Sequence, residues 1–149
     1  MATNRKNLMT EPITTSLAGR NDFNHPLSGR IVYLAGPMSD HADFNYPLFQ
    51  RVAAELRALG ATVMSPAEHS MPMDSPRTVF MQHGFTKLLQ CTDICLLPFW
   101  SLSEGASIEC QVALSCGMKA WYYQVDSTPT VSPTPRPGII TQALLDDEF

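Results

Sequence analysis

The sequence predicts an α/β protein, a three-layer sandwich whose mostly parallel, doubly wound sheet is of the Rossmann or flavodoxin type. Short continuous apolar runs alternate with segments of helical period between residues 30 and 126, and the runs tend to close on Gly or Pro. Strands buried on both faces read as such runs, and a strand–helix alternation implies parallel pairing through right-handed crossovers. The composition, 44% hydrophobic and 16% charged, is that of a globular chain, and 149 residues suffice for one domain with a proper core.

Taken in order, Ile31 to Ala35 (IVYLA) is rich in β-branched and apolar residues and ends in Gly36-Pro37, which predicts the first strand. Residues 46–59 carry Leu48, Phe49, Val52, Ala53, Leu56 and Leu59 at a period near 3.6, after a candidate cap at Asn45 and before Gly60; they predict a helix. Residues 61–65 (ATVMS), closed by Pro66, predict the second strand. Residues 79–90 are a weaker helical stretch, in which Gly84 costs about 1 kcal/mol relative to Ala. Residues 93–98 (DICLLP) predict a third buried strand, 103–116 a second strong helix with Ala106, Cys110, Ala113 and Leu114 along one side, and 119–125 (KAWYYQV) a fourth strand.

Both ends lie outside this alternation. Residues 1–29 show no sustained period and read as a flexible N-terminal arm, with a segment around Phe23 to Leu27 able to cling to the body. Residues 127–138 (STPTVSPTPRPG) hold four prolines and predict an extended linker, followed over 139–149 by a short amphipathic helix with an acidic finish. The domain proper is thus 30–126.

Several function classes are disfavoured. Ten Lys and Arg against fourteen Asp and Glu give a net charge of −4, and the longest basic run is Arg5-Lys6, so a nucleic-acid polymer is not an expected partner. No stretch approaches the about eighteen apolar residues of a spanning helix, and the N-terminus lacks a basic region followed by an apolar run, so the expectation is a cytoplasmic protein without membrane association. Cys91, Cys95, Cys110 and Cys116 lack zinc-site spacing and read as buried, reduced thiols. His41 and His69 could line one cleft, but nothing in their spacing demands a metal, and no metal or cofactor is expected.

In a doubly wound sheet, ligands sit beyond the carboxyl ends of the strands. After the first strand, Gly36, Pro37, Met38 and Ser39 are either a plain turn or a loop that lets an anion approach the backbone. After the third strand, Ser103 can cap a helix whose exposed amides form a phosphate seat. Glu109, one to two turns inside that helix, either leans into the cleft or is merely a favourable acid near a helix start. Phe99 and Trp100, at the cleft mouth, either stack on a base or serve as core or subunit contacts.

The ordered set Val32 to Met38, Asp43-Phe44-Asn45, Ser65 to His69, Cys91 to Pro98 and Ser103-x-Gly105-Ala106-x-x-Glu109 resembles the nucleoside 2-deoxyribosyltransferase superfamily, in particular its small phage and prophage branch. The resemblance covers about 31–125. It implies cleavage or transfer of the N-glycosidic bond of a 2-deoxyribonucleoside or its 5′-monophosphate, with Glu109 as nucleophile. It further implies that Tyr33 positions nucleophile and sugar and that Ser103, Gly105 and the 36–39 loop hold the 5′ end. Asp43, His69 and Trp100 join the expected substrate-binding set, and a homodimer or higher homo-oligomer is expected. The sequence departs from the family at the acid that serves the departing base, whose place falls on Gly84 or Phe85, with His83 adjacent. It departs again at Ser107, where the phage branch carries Arg. These departures leave a second reading, a nucleotide-binding protein that has lost the chemistry, for example one sequestering a host nucleotide signal.

Overall fold

A computed structural model describes residues 14–16, 25–127 and 136–143. The elements are β1 (Thr14–Ser16), β2 (Ile31–Ala35), α1 (Tyr46–Ala58), β3 (Thr62–Met64), α2 (Arg77–Leu88), β4 (Asp93–Leu96), α3 (Glu104–Ser115), β5 (Lys119–Gln124) and β6 (Ile139–Ala143). The six strands form one sheet in the order β1-β6-β5-β4-β2-β3. β3, β2, β4 and β5 are parallel, whereas β6 runs antiparallel to β5, and β1 antiparallel to β6. The α/β sandwich is the expected one.

The alternation of the sequence sets the layers. Val32, Leu34, Cys95, Leu97, Trp121 and Tyr123 turn one way, against Phe49, Val52, Ala53 and Leu56 of α1. Their neighbours Tyr33, Ala35, Ile94, Leu96 and Ala120 turn the other, against Leu88 of α2 and Ala106, Cys110 and Ala113 of α3. One helix covers the first face and two cover the second, as right-handed crossovers require when the chain winds outward from β2 in both directions. The consequence for function is a switch point: β2 and β4 lie side by side, and the loops leaving their carboxyl ends diverge to opposite faces.

The ends differ from the expectation. Residues 139–149 do not open with an amphipathic helix, because Ile139–Ala143 is a strand with Ile140 and Ala143 buried, paired residue for residue with β5. Its β-branched Ile-Ile-Thr start fits that pairing better than a helical turn. Tyr123 Oη (2.6 Å) and the Gly138 amide (3.1 Å) both donate to Glu55 of α1, which fixes where the chain re-enters the sheet. Within 1–29, Thr14–Ser16 is an edge strand and Leu27 is wholly buried in the core; the rest of the arm up to residue 24, the prolines at 129–135 and residues 144–149 lie outside the described residues. Of the four cysteines, Cys91, Cys95 and Cys110 are buried and free, but Cys116 is exposed at the C-cap of α3. Among the described residues no helix is long and apolar enough to cross a membrane.

Candidate active site

The switch point opens into a cleft of about 860 Å³, within the usual range for small-molecule sites. Its walls come from three places: the loop after β2 (Gly36 to His41, Phe44 and Tyr46), the stretch entering α2 (Met73, Ser75, Arg77, Phe80, Met81), and the β4–α3 connection (Phe99, Leu102 to Ala106) with Glu109.

Glu109 sits where α3 passes the sheet edge. Its Oε2 is sealed from solvent and has no hydrogen-bond partner among the described residues, and the same holds for the Tyr33 hydroxyl. Burial pushes the Glu109 pKa up to about 7, with the nearby Tyr33 hydroxyl pulling it back down although no well-formed hydrogen bond joins them. Burial, and then the Glu109 charge, raise the Tyr33 pKa well above that of a free phenol. A buried carboxyl with a vacant acceptor, poised near neutrality in a cleft, is an arrangement that structural acids avoid and reacting acids use.

Ser103 is the N-cap of α3, and its hydroxyl accepts the Ala106 amide at 3.2 Å. The Ser107 amide is taken by the Ser103 carbonyl, while those of Glu104 and Gly105 have no partner among the described residues. Arg77, at the start of α2, lies across from them and pairs with Glu104 at 3.4 Å. Both side chains are largely exposed, so the pair is weak and either group is free to turn to a ligand.

The loop after β2 is held in an unusual path. Asp40, Asp43, Phe44 and Asn45 all have positive φ, as does Phe99 after β4, and these five are all the non-glycine residues with positive φ among the described residues. Left-handed backbone costs roughly 1–2 kcal/mol per ordinary residue, and Phe is among the less tolerant types. All five lie on the two loops that flank the switch point, the placement expected of strain stored at a working site. Asn45 does not cap α1 through its side chain, because Nδ2 donates instead to the Pro37 carbonyl at 2.9 Å and ties the loop back to its start. Gly36 has a packing role as well: a Cβ there would lie 2.8 Å from the Cβ of Leu97.

The structure brings together most of the expected residues and displaces three. Gly36, Pro37, Met38, Ser39, Ser103, Gly105 and Glu109 line the cleft, with Tyr33 in the core beneath it. Asp43 is exposed and off the cleft wall, since its left-handed turn carries it outward. Trp100 turns away, packing its ring against the α3 side of the core, so Phe99, 69% exposed, is the aromatic presented to the cleft.

His69 stands behind the wall rather than in it. Its Nδ1 accepts the Met71 amide at 3.1 Å, which places the ring proton on Nε2. Nε2–H then donates to Tyr46 Oη at 2.7 Å, leaving the tyrosine proton directed elsewhere, with only the Met73 sulfur 3.9 Å away. Tyr46, whose pKa is raised by burial, is thus a fixed donor on the cleft wall. His83, edge-on to His69, has its pKa lowered by burial and then by Lys87 and His69, and it does not line the cleft. Tyr46, Arg77 and Phe80 were not singled out by the sequence, because helical period alone does not say which flank of a helix start meets a cavity. Among the described residues no cluster of His, Cys, Asp or Glu could hold a metal ion.

Residues 30–122, well over half of the chain, match the family model described as a domain of unknown function, DUF4406. The chain belongs to the DUF4406 family. No curated protein matches it. The DUF4406 match runs from the residue before β2 to Tyr122 in β5, so it contains every residue of the cleft. Strands β1 and β6 lie outside it.

Proposed function

We propose that the cleft binds a 2-deoxyribonucleoside or its 5′-monophosphate and that Glu109 cleaves or transfers its N-glycosidic bond. The observation that carries this reading is the sealed, unpartnered Oε2 of Glu109 beside the open N-terminus of α3. In the ionised state a Glu109 oxygen attacks the anomeric carbon; the bond to the base breaks, and its electron pair leaves with the base, which takes a proton. Water or a second base then resolves the glycosyl ester and frees the carboxylate. Tyr33 holds the carboxylate in place. A 5′-phosphate fits the free amides of Glu104 and Gly105, with Arg77 turning from Glu104 to neutralise it. The base lies among Phe44, Phe80, Met81 and Phe99, which offer flat and deformable apolar surface.

The resemblance to the deoxyribosyltransferase superfamily supports this reading, as does the match between that family's nucleophile and Glu109. Incubation with a panel of deoxynucleosides and their monophosphates, followed by chromatography, should release free base, with kcat/KM rising as pH increases through about 7. Glu109→Gln should lower turnover by about a thousandfold or more. Gly84, which supplies no acid for the departing base, favours the alternative of a binder that has lost the chemistry. That reading predicts tight binding of an intact nucleotide, unchanged in Glu109→Gln, and no free base from the native protein.

A further inference from the structure

Glycine inside a helix is a cost relative to alanine, and Gly84 sits in the interior of α2, buried, with no turn or kink to justify it. Its neighbour supplies the reason. Tyr33 leaves β2 towards the α2–α3 face, and its ring is wholly enclosed. The hydroxyl at its tip lies 2.9 Å from where a Cβ on Gly84 would be, closer than real Cβ contacts allow. Apart from the chain neighbours of Gly84 and the backbone of its own helix, no other atom among the described residues comes within 4 Å of that point, so the hydroxyl is what occupies the space. It also lies beside the Glu109 carboxyl, and neither it nor Glu109 Oε2 has a hydrogen-bond partner among the described residues.

We propose that Gly84 is a positioning residue: its missing side chain gives the Tyr33 hydroxyl the place from which it faces the Glu109 carboxyl. Any side chain at position 84 pushes the tyrosine tip away from Glu109, since a buried ring on a central strand has little room to turn. The glycine, the hydroxyl and the carboxyl therefore form one unit spanning α2, β2 and α3. An acid at position 84 is incompatible with this unit, so the proton that a departing base needs comes from elsewhere. The inference rests on the reading of Glu109 as the acting carboxylate, but its geometry holds without a substrate.

The other groups around the pair are few. Cys91, just beyond α2, faces Tyr33; α2 itself offers the uncharged Met81 and Gly84; β4 contributes apolar side chains; and on α3 Glu104 is exposed and paired with Arg77. The Tyr33 hydroxyl is accordingly the neighbour whose removal Glu109 should register.

The test is a carbon-13 carboxyl titration of Glu109, which needs no substrate, in the native chain, Gly84→Ala, Tyr33→Phe and the double variant. The expected native midpoint is about 7. Gly84→Ala should raise it, because it displaces the hydroxyl that stabilises the carboxylate. Tyr33→Phe should raise it as well, and adding Gly84→Ala to Tyr33→Phe should change nothing more. Thermal unfolding gives the second arm: Gly84→Ala should lower the melting temperature of the native chain but raise that of Tyr33→Phe, where the hydroxyl no longer obstructs the methyl group and helix propensity alone acts. Failure of Gly84→Ala to fold while the double variant folds would support the same clash. An unmoved Glu109 midpoint in Gly84→Ala, a rise in melting temperature in both backgrounds, or failure of both variants to fold would overturn the proposal. A lack of base release with the shifts intact would instead overturn the reaction and leave the positioning role standing.

Discussion

The two ends of β4 each hold a carboxylate in or beside the core, and the two are treated in opposite ways. At the amino end Asp93 is fully buried, with Oδ1 accepting Arg30 Nε at 2.7 Å and Oδ2 accepting Trp121 Nε1 at 2.8 Å. Each of its oxygens has a donor, and the three residues tie the approach to β2, the start of β4 and the middle of β5 together. Near the carboxyl end Glu109 has a sealed oxygen with no partner among the described residues, left-handed backbone on both flanking loops and an open cleft. An acid that serves the fold has a donor on each oxygen, whereas the one proposed to meet a ligand is left short of them.

The widest contrast in stability should come from the amino end. Asp93→Ala leaves a buried indole N–H and a guanidinium without their acceptor, and it should destabilise the chain by about 4 kcal/mol in denaturant unfolding. The remaining folded protein should keep its Glu109 titration, because the two carboxyls lie at opposite ends of the strand. A loss near zero would put Asp93 and Glu109 in the same class and remove the contrast.

At the other end the sign reverses. Burial raises the Glu109 pKa in the folded state from 4.5 to about 7, so the folded chain holds this proton more tightly than the unfolded one. Stability from this group is complete below about pH 4.5 and is lost as pH rises through about 7. Glu109→Gln should therefore stabilise the protein at pH 8, by up to about 3 kcal/mol, and the gain should vanish near pH 4. Equal stability of the two proteins at both pH values would mean that the carboxylate is well solvated in the fold.

A finer distinction lies within the cleft wall. Tyr46→Phe removes a donor that His69 holds in place, and with a substrate in hand it should raise KM by about fivefold, equivalent to about 1 kcal/mol, with little change in kcat. A fall in kcat at constant KM would move Tyr46 from binding into the chemistry.

The parallel sheet was legible because its strands announce themselves locally: IVYLA, ATVMS and DICLLP need no distant partner to be recognised, and Gly60 ends α1 as expected. The antiparallel additions were not. β1 is three residues of Thr and Ser with no apolar signal, set by its pairing with β6, and β6 read as helical because only its register with β5 shows which period wins. Ser103 was legible from capping chemistry, whereas spacing alone left Glu109 open between a cleft acid and a plain helix-start acid, and only the resemblance gave it a role. The roles of Gly84, Tyr46 and Phe99 were hidden for a different reason. Each depends on a contact between separate elements or on a backbone angle that composition does not encode, so Gly84 read as a weakness in a helix and as the place of a missing acid, and Trp100 looked as good as Phe99.

The central claim is that Glu109 bonds to the sugar. Intact-protein mass analysis, after rapid acid quench of the protein with a deoxynucleoside or its monophosphate that loses its base, tests it directly. The account predicts an added mass of one deoxyribosyl or deoxyribosyl-phosphate group, located on the peptide containing Glu109 and missing in Glu109→Gln. Free base released at an undiminished rate by Glu109→Gln, or an adduct on any other residue, would contradict it.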